Sequence, residues 1–170
     1  MVAVFLDRIS PYNAAMTLPL ARWGSPVWNL SWNVGAFSMS SNVVPDTHLD
    51  LLEKSFLGHC ATIGPTGEPQ VNPVWFLWNG TQIVLSIHPD GQKAKNLARD
   101  ARISISVIDH DNPIHYLEVR GTASFDRQVD SQDPTVIAMV RKYTGNDSYP
   151  GMPDQHSLYL VEPLRTTRMD

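Results

Sequence analysis

Cysteine and long apolar runs are scarce in this sequence of 170 residues, and both shortages exclude a class of protein. Cys60 is the only cysteine, so an intramolecular disulfide cannot form. It lies in the apolar run Cys60–Ile63 with no base beside it in sequence, and we predict a buried strand residue rather than a nucleophile. No apolar run reaches the roughly 18–20 residues that a membrane-spanning helix needs. The N-terminus lacks the features of a signal peptide, so the sequence predicts a cytoplasmic protein.

A strong charge and the common catalytic motifs are missing as well. The formal net charge of −4 argues against non-specific nucleic-acid binding through bulk positive charge. The sequence contains no GxGxxG loop, P-loop, paired CxxC or HExxH motif. We therefore interpret its histidines as surface or loop residues rather than metal ligands: His48, His59, His88, His110, His115 and His156. Hydrolytic and metal-dependent chemistry are weakly supported.

Residues 1–42 differ in composition from the remainder of the chain. They contain three tryptophans but only three charged residues, and prolines and glycines interrupt any helix or strand periodicity. We predict a poorly ordered N-terminal extension over residues 1–42 and a folded domain over residues 43–170. Two further readings are open: a start codon assigned too early, with Met39 as the true start, or an arm that binds a membrane surface or a partner.

The stretch Gln70–Arg102 carries the clearest structural signals. Two apolar runs, Val74–Trp78 and Ile83–His88, flank Asn79 and Gly80, and this dipeptide is the strongest short-range signal of a β-hairpin because both residues tolerate positive φ. Both faces of each predicted strand are apolar or aromatic, so we expect the hairpin to be buried on both sides or covered by a partner chain. Its aromatic residues suit either core packing or a platform for a flat heterocycle.

A short helix with a lysine in its first turn follows the hairpin. We predict this helix over Gly91–Asp100, with Asp90 as the N-cap. Lys93 lies where free backbone N–H groups and the helix dipole favour an anion, so the sequence predicts a phosphate site there. The alternative is a solvated helix with scattered basic residues. Four apolar residues at helical spacing are expected to form its buried face: Ala94, Leu97, Ala98 and Ala101.

The remaining pattern is dominated by short strands. We predict four of them, at residues 59–63, 103–107, 116–126 and 157–161. Gly121 is expected to mark a bulge, and residues 163–170 are expected to form a tail. Amphipathic helices are predicted over residues 46–57 and 134–143. About six strands with few helices and short turns predict a mainly β fold, a small antiparallel barrel.

Three blocks of the sequence, taken in order, resemble one known superfamily: Gly67–Phe76, Gln92–Arg102 and Tyr116–Gly121. Together they resemble the split β-barrel flavin and deazaflavin oxidoreductases, which include pyridoxamine 5′-phosphate oxidase. Within that superfamily the sequence is most similar to the coenzyme F420-dependent branch of actinobacteria. The resemblance implies a six-stranded antiparallel split β-barrel. It also implies a homodimer with the cofactor in grooves between the two subunits.

The resemblance further implies a set of cofactor-binding residues. These are Val71, Asn72, Pro73, Val74, Ser86, Ile87, Lys93, Lys95 and Asn96. In this scheme the ring system lies along the first four and near the next two. Lys93 would bind the phosphate, while Lys95 and Asn96 assist at the phosphate or the oligoglutamate tail. Tyr116 lies where the superfamily reaches across from the second subunit. No side chain is obviously required as a general acid, so we predict no catalytic residue and no metal.

Two positions depart from the family pattern and bear on the cofactor. Lys95 stands where the family commonly has Arg, which keeps the charge but loses bidentate phosphate binding. Gln92 stands where the FMN-binding oxidases usually carry Arg, which favours coenzyme F420 over FMN. The resemblance thus implies hydride transfer from reduced F420 to a conjugated acceptor such as a quinone, enone or tetrapyrrole. An FMN-dependent pyridoxamine phosphate oxidase-like enzyme and a non-catalytic carrier of F420 or another flat ligand are the alternatives.

Overall fold

The computed structural model describes residues 43–169, which fold mainly as β-structure. The helices are α1 (Leu49–Glu53), α2 (Gln92–Arg99) and α3 (Pro134–Thr144), and a 3-10 helix at Asp46–His48 leads into α1. The strands are β1 (Gly58–Ile63), β2 (Pro69–Val74), β3 (Phe76–Trp78), β4 (Ile83–Ile87), β5 (Arg102–Ile108), β6 (Tyr116–Asp130) and β7 (Gln155–Met169). The mainly β fold is therefore confirmed. The predicted extension, with Met39 near its end, lies outside the described residues.

The seven strands of the described domain form one antiparallel sheet that closes on itself. Their order is β2-β1-β5-β6-β7-β4-β3, so β2 and β3 lie at opposite ends of the sheet. Only Trp75 separates Val74, at the end of β2, from Phe76, at the start of β3. Two residues span at most about 7 Å, so the two ends of the sheet must meet at Trp75. If β2 and β3 are regarded as one strand bent at Trp75, the count equals the six strands predicted.

Aliphatic side chains from the strands and α1 fill the interior of this barrel. In β5 the side chains of Ile103, Ile105 and Val107 are buried, whereas those of the two serines between them are half-buried on the other face. This is the alternation that predicted the strand. Cys60 is fully buried in the same core, so its predicted burial is confirmed. Burial raises the pKa of the Cys60 thiol to about 11, which keeps the sulfur protonated and unreactive near neutral pH. Between residues 43 and 169, no helix is long and apolar enough to cross a membrane.

The predicted hairpin forms, with a longer loop than the Asn-Gly pair alone would give. β3 pairs with β4 from Phe76 opposite Leu85 to Trp78 opposite Ile83, so four residues make the connection. Gly80 has a φ of 99°, as a turn glycine should. The side-chain oxygen of Asn79 accepts hydrogen bonds from the two residues after the glycine, which fixes the loop. β4 is buried on both faces, as its apolar pattern indicated.

Strands β6 and β7 form a long two-stranded ribbon whose register shifts at Gly121, so the predicted bulge is confirmed. A Cβ added to Gly121 would lie 2.0 Å from the carbonyl oxygen of Glu162, and only glycine fits this close approach. The predicted C-terminal tail is wrong, because β7 continues to Met169 opposite Tyr116. Most side chains in that part of β7 are exposed, so the ribbon is held by backbone hydrogen bonds and leaves little apolar pattern in the sequence.

Two helices differ in detail from their prediction. The first ends at Glu53 rather than at residue 57, and Leu51 is buried there together with Leu52. Helix α2 lies close to its predicted bounds, but its N-cap is Gly91 rather than Asp90. Its buried face contains Asn96 with Ala94 and Leu97, whereas Ala98 and Ala101 are exposed. A hydrogen-bonded asparagine replaces the expected alanines because α2 packs on a polar part of β1 and β2, as described below.

Helix α3 is fastened to β3 and α1 by its last turn. The Lys142 ammonium donates to the carbonyl oxygens of Leu52 (2.7 Å) and Phe76 (3.2 Å) and lies 4.1 Å from the centre of the Phe76 ring. The Tyr143 hydroxyl accepts from the Phe76 amide and donates to the Phe56 carbonyl oxygen. Burial lowers the pKa of Lys142 to about 8 and raises that of Tyr143 to about 12. These contacts fix the helix that forms one wall of the groove described next.

Candidate functional site

A groove of about 600 Å³ opens where the barrel closes. Its walls come from β2, the end of β4, the first turn of α2, the inner face of α3 and the start of β7. Such a volume lies within the range of small-molecule and cofactor sites. The walls are mostly apolar, with Trp75 and Tyr149 as aromatic members and a few polar groups at defined places. The arrangement suits a flat ligand with a polar end.

The first turn of α2 supplies the cationic end of the groove. Lys93 lines it, and its ammonium group donates a hydrogen bond to Asn72 Oδ1 on β2 at 3.0 Å. Within residues 43–169 no side chain caps α2, whose N-cap is Gly91. The backbone N–H groups of the first turn are thus left for solvent or an anion. Lys93, the helix dipole and these N–H groups all favour negative charge at this end.

Asn96 lies on the same helix but is fully buried. Its side-chain amide donates to Thr62 Oγ1 and Gln70 Oε1, each at 3.0 Å. Its oxygen accepts from Gln92 and Arg99. All of the amide's hydrogen-bonding capacity is used inside the protein, and Asn96 does not line the groove. In this structure it holds α2 against β1 and β2.

The other basic residues of α2, and Arg102 at the start of β5, do not line the groove. Lys95 is exposed and does not line it, and its side chain makes no hydrogen bond or ion pair within residues 43–169. Arg99 donates to the carbonyl oxygen of Ile63 at 2.6 Å. Arg102 is paired with Asp100, and their hydrogen bonds lower the pKa of that carboxyl to about 2. Lys93 is thus the α2 cation that the structure brings to the groove.

The strand residues predicted to follow a cofactor ring are mostly brought together. Asn72, Pro73 and Val74 line the groove, and so do Ser86 and Ile87 at the end of β4. Val71 does not line it and is 56% exposed. Tyr116 starts β6 and does not line the groove of its own chain.

Several groove residues were missed by sequence reasoning. Trp75 stacks on Tyr143 at 5.1 Å between ring centres and packs edge-on to Tyr149. Met139 and Val140 of α3 complete the apolar wall. The helical stripe of α3 was visible in the sequence, but nothing there indicated which strands it would cover. The Gly/Pro-rich loop that carries Tyr149 gave no signal at all.

His156 is the most informative residue that was missed. It is buried, 7% exposed, and lines the groove, so its interpretation as a surface or loop residue is wrong. Its Nδ1 lies 2.8 Å from Ser86 Oγ, and its Nε2 lies 2.9 Å from the carbonyl oxygen of Pro153. His48 is likewise buried, so the same interpretation fails there. A histidine near the start of a strand gives no signal in the sequence that separates it from a turn residue, because its burial depends on how the strand pairs. No group of three His, Cys, Asp or Glu residues that could bind a metal is present in the described domain.

Comparison with known proteins agrees with this geometry. The model of the pyridoxamine 5′-phosphate oxidase family matches residues 44–167. A solved F420 reductase is 34% identical, with a TM-score of 0.64 over 73% of this chain and 98% of that chain. A conserved hypothetical protein from Mycobacterium tuberculosis is 24% identical, with a TM-score of 0.58 over 79% and 90%.

A more distant structure, HupZ from Group A Streptococcus, is 16% identical, with a TM-score of 0.51 over 72% of this chain and 91% of that chain. At this level of identity, and at that of the mycobacterial protein, the likeness shows the fold alone. No match is found among curated proteins. The residues matched by the family model include every residue that lines the groove.

Proposed function

From the premise that the chain belongs to the pyridoxamine 5′-phosphate oxidase family, we propose that it is an oxidoreductase that uses reduced coenzyme F420. The cofactor would lie in the groove, and its hydride would pass to a conjugated small-molecule acceptor of the quinone, enone or tetrapyrrole type. The likeness to a solved F420 reductase at 34% identity supports the choice of a deazaflavin. When bound, a reduced deazaflavin supplies the hydride, and the protein supplies position and exclusion of water.

The observation that carries this proposal is the position of Lys93. It lies at one end of an apolar groove, with its ammonium group 3.0 Å from Asn72 Oδ1. The helix start beside it is capped by no side chain of the described domain. An anion bound here would meet a cation, a helix dipole and free backbone N–H groups together. A phosphate held at this end would leave an attached planar ring free to extend along β2 towards Ser86. The residues present thus fit a flavin-like group with a phosphate.

We further propose that two copies of the chain assemble with a groove at their interface. The groove is bounded by an edge strand, β2, whose side chains are mostly exposed. Val71 on that strand is an exposed apolar residue directly beside the groove residues. A partner that covered β2 would bury Val71 and shield the ring of a bound cofactor from water. Sedimentation equilibrium of the full chain, with and without F420, would measure this assembly.

Side-by-side titration with F420 and with FMN, followed by ligand fluorescence, tests the cofactor. We expect saturable binding of F420 and binding of FMN that is at least tenfold weaker, because Gln92 stands where the FMN-binding oxidases usually carry Arg. Tighter binding of FMN would reverse the choice of cofactor and leave the fold assignment intact. Binding of neither would contradict the groove as a cofactor site. Binding of F420 without reduction of any acceptor would favour a carrier.

A further inference from the structure

Ser86 and His156 form a hydrogen-bonded pair whose members both line the groove. Ser86 is at the end of β4, His156 is at the start of β7, and these strands pair with Ser86 opposite Leu158. Ser86 Oγ lies 2.8 Å from Nδ1, and the Pro153 carbonyl oxygen lies 2.9 Å from Nε2. The imidazole is thus held at both nitrogens, and it is almost wholly buried.

The partners decide where the hydrogens lie. A carbonyl oxygen can only accept, so Nε2 must carry a hydrogen and donate it to Pro153. In the neutral imidazole, Nδ1 is then an acceptor, and the Ser86 hydroxyl must donate to it. The hydrogen of Ser86 is directed at the histidine, and the lone pairs of its oxygen are left for the groove. In this state Ser86 can only accept a hydrogen bond from a ligand.

Protonation of His156 reverses the direction of the hydrogen bond. Both ring nitrogens of an imidazolium are donors, so Nδ1 would then donate to Ser86 Oγ. The Ser86 hydroxyl hydrogen is released to point into the groove. One proton on a buried ring therefore changes Ser86 from an acceptor into a donor at the surface of the groove. The Nε2 hydrogen bond to Pro153 is the same in both states and keeps the ring in place.

We propose that Ser86 and His156 form a proton relay that delivers the proton completing the reduction. This inference rests on the proposed function, in which a reduced deazaflavin supplies the hydride. Addition of hydride to a carbon of a conjugated acceptor leaves an anion on its oxygen or nitrogen. The Ser86 hydroxyl gives its proton to that atom, and Nδ1–H of His156 gives a proton to Ser86 Oγ. His156 is left neutral, with Nε2–H on Pro153, and takes up a new proton from solvent.

The charges near the pair leave both states of the ring open. Within residues 43–169, no carboxylate is hydrogen-bonded to His156, since its partners are a hydroxyl and a carbonyl group. The other ionisable groups that line the groove are Lys93, His88 and Tyr149. Asp154 is next to His156 in the loop before β7, and Asp130 of β6 pairs with Gln155. The ring is therefore not locked in the charged form by an ion pair, as a relay requires.

Nitrogen-15 NMR of histidine-labelled protein tests the geometry without turnover. We expect the neutral ring of His156 to carry its hydrogen on Nε2, with Nδ1 unprotonated and hydrogen-bonded. Ser86→Ala should shift the Nδ1 resonance and leave the Nε2–H signal in place. A ring protonated on Nδ1 in its neutral form, or a spectrum unchanged by Ser86→Ala, would overturn the relay.

Turnover at saturating F420 tests its role. Ser86→Ala should lower kcat about 100-fold, with the dissociation constant for F420 changed less than threefold. Ser86→Thr keeps the hydroxyl and should retain most of kcat. His156→Ala should show a similar loss that added imidazole partly restores. His110→Gln is the matched control, since His110 is exposed and does not line the groove, and it should behave as wild type.

The outcomes separate the relay from the proposed function. Wild-type turnover that Ser86→Ala leaves unchanged would overturn the relay and leave the oxidoreductase assignment standing. Wild-type protein that binds F420 but reduces no acceptor would overturn the assignment and the relay together. If His156→Ala fails to fold, Ser86→Ala and Ser86→Thr still decide, because they change only a hydroxyl and a methyl group.

Discussion

Lys93 and Lys142 are two lysines on helices that border the same groove, and they serve different purposes. Lys93 lies in the first turn of α2, lines the groove and meets one neutral side chain, Asn72. Lys142 lies in the last turn of α3 and is held by two carbonyl oxygens and an aromatic ring. The first keeps its charge available to a ligand, whereas the second uses its hydrogen-bond donors to join three elements of the fold. The role of each lysine therefore depends on the groups that its ammonium contacts and not on its position along the helix.

The largest expected effect comes from removing the structural lysine. Lys142→Met keeps much of the side-chain volume but leaves the carbonyl oxygens of Leu52 and Phe76 without their donor. We expect the free energy of unfolding to fall by about 2–3 kcal/mol. Urea denaturation followed by tryptophan fluorescence measures this. Arg141→Met, at the exposed neighbour paired with Asp147, is the control and should cost less than about 1 kcal/mol. Equal losses would remove the distinction between the two positions.

Asn96 offers a way to separate support from ligand contact on α2. Asn96→Ala removes the donors to Thr62 and Gln70, so we expect a loss of about 2 kcal/mol in the free energy of unfolding. Affinity for F420 should fall only to the extent that the weaker packing of α2 displaces Lys93. Intact stability combined with a large loss of affinity would instead show the direct cofactor contact that the family resemblance implies. Ala98→Ser, an exposed change on the same helix, is the control.

Lys93→Ala should have the opposite signature from Lys142→Met. We expect the dissociation constant for F420 to rise at least tenfold, which is about 1.4 kcal/mol, while the free energy of unfolding changes by less than about 0.5 kcal/mol. Lys95→Ala on the same helix is the control and should change affinity less than about threefold, since Lys95 is exposed outside the groove. An unchanged fluorescence titration with Lys93→Ala would contradict the phosphate site.

The smallest effect is a pH dependence of stability that belongs to Lys142. Burial lowers its pKa to about 8 in the folded protein from 10.5, so between these values the unfolded chain binds more protons. The free energy of unfolding should therefore rise with pH over this window. We expect a rise of about 1 kcal/mol, because the contacts of the ammonium group with the carbonyl oxygens and the ring partly offset the effect of burial. The wild-type curve minus the Lys142→Met curve isolates this rise from other groups. A flat difference between pH 8 and 10 would contradict the lowered pKa.

Much of the fold could be predicted from local signals. The hairpin, the bulge at Gly121 and the alternation in β5 each depend on residues close together in sequence. The C-terminal part of β7, at residues 163–169, could not be predicted in this way. Its exposed side chains show no strand periodicity, and only the pairing with β6 makes it a strand. The break between β2 and β3 at Trp75 could not be predicted either, since Val74–Trp78 looks like one continuous apolar run.

The residues of the candidate site likewise fall into those that local sequence signals predict and those that depend on tertiary structure. Lys93 was predicted from a helix start, which is a local feature, whereas Asn72 and Val74 were predicted from the family resemblance. The pairing of Ser86 with His156 joins residues 70 positions apart, and no local pattern connects them. The contribution of Asn96 to the packing of α2 could not be predicted for a similar reason. Its partners, Thr62 and Gln70, lie on strands whose placement beneath α2 is a tertiary fact.

The single residue between β2 and β3 has a mechanical consequence. Strand β2, which forms a wall of the groove, is joined to β3 through Trp75 alone. Covalent geometry therefore sets the distance between these two strand ends, and with it the width of the groove opening. An insertion at this position would lengthen the connection and let the two ends of the sheet move apart. Variation in ligand size among relatives should accordingly be accommodated by the loop after α3, which borders the groove through Tyr149 and Pro153 and is free to change length.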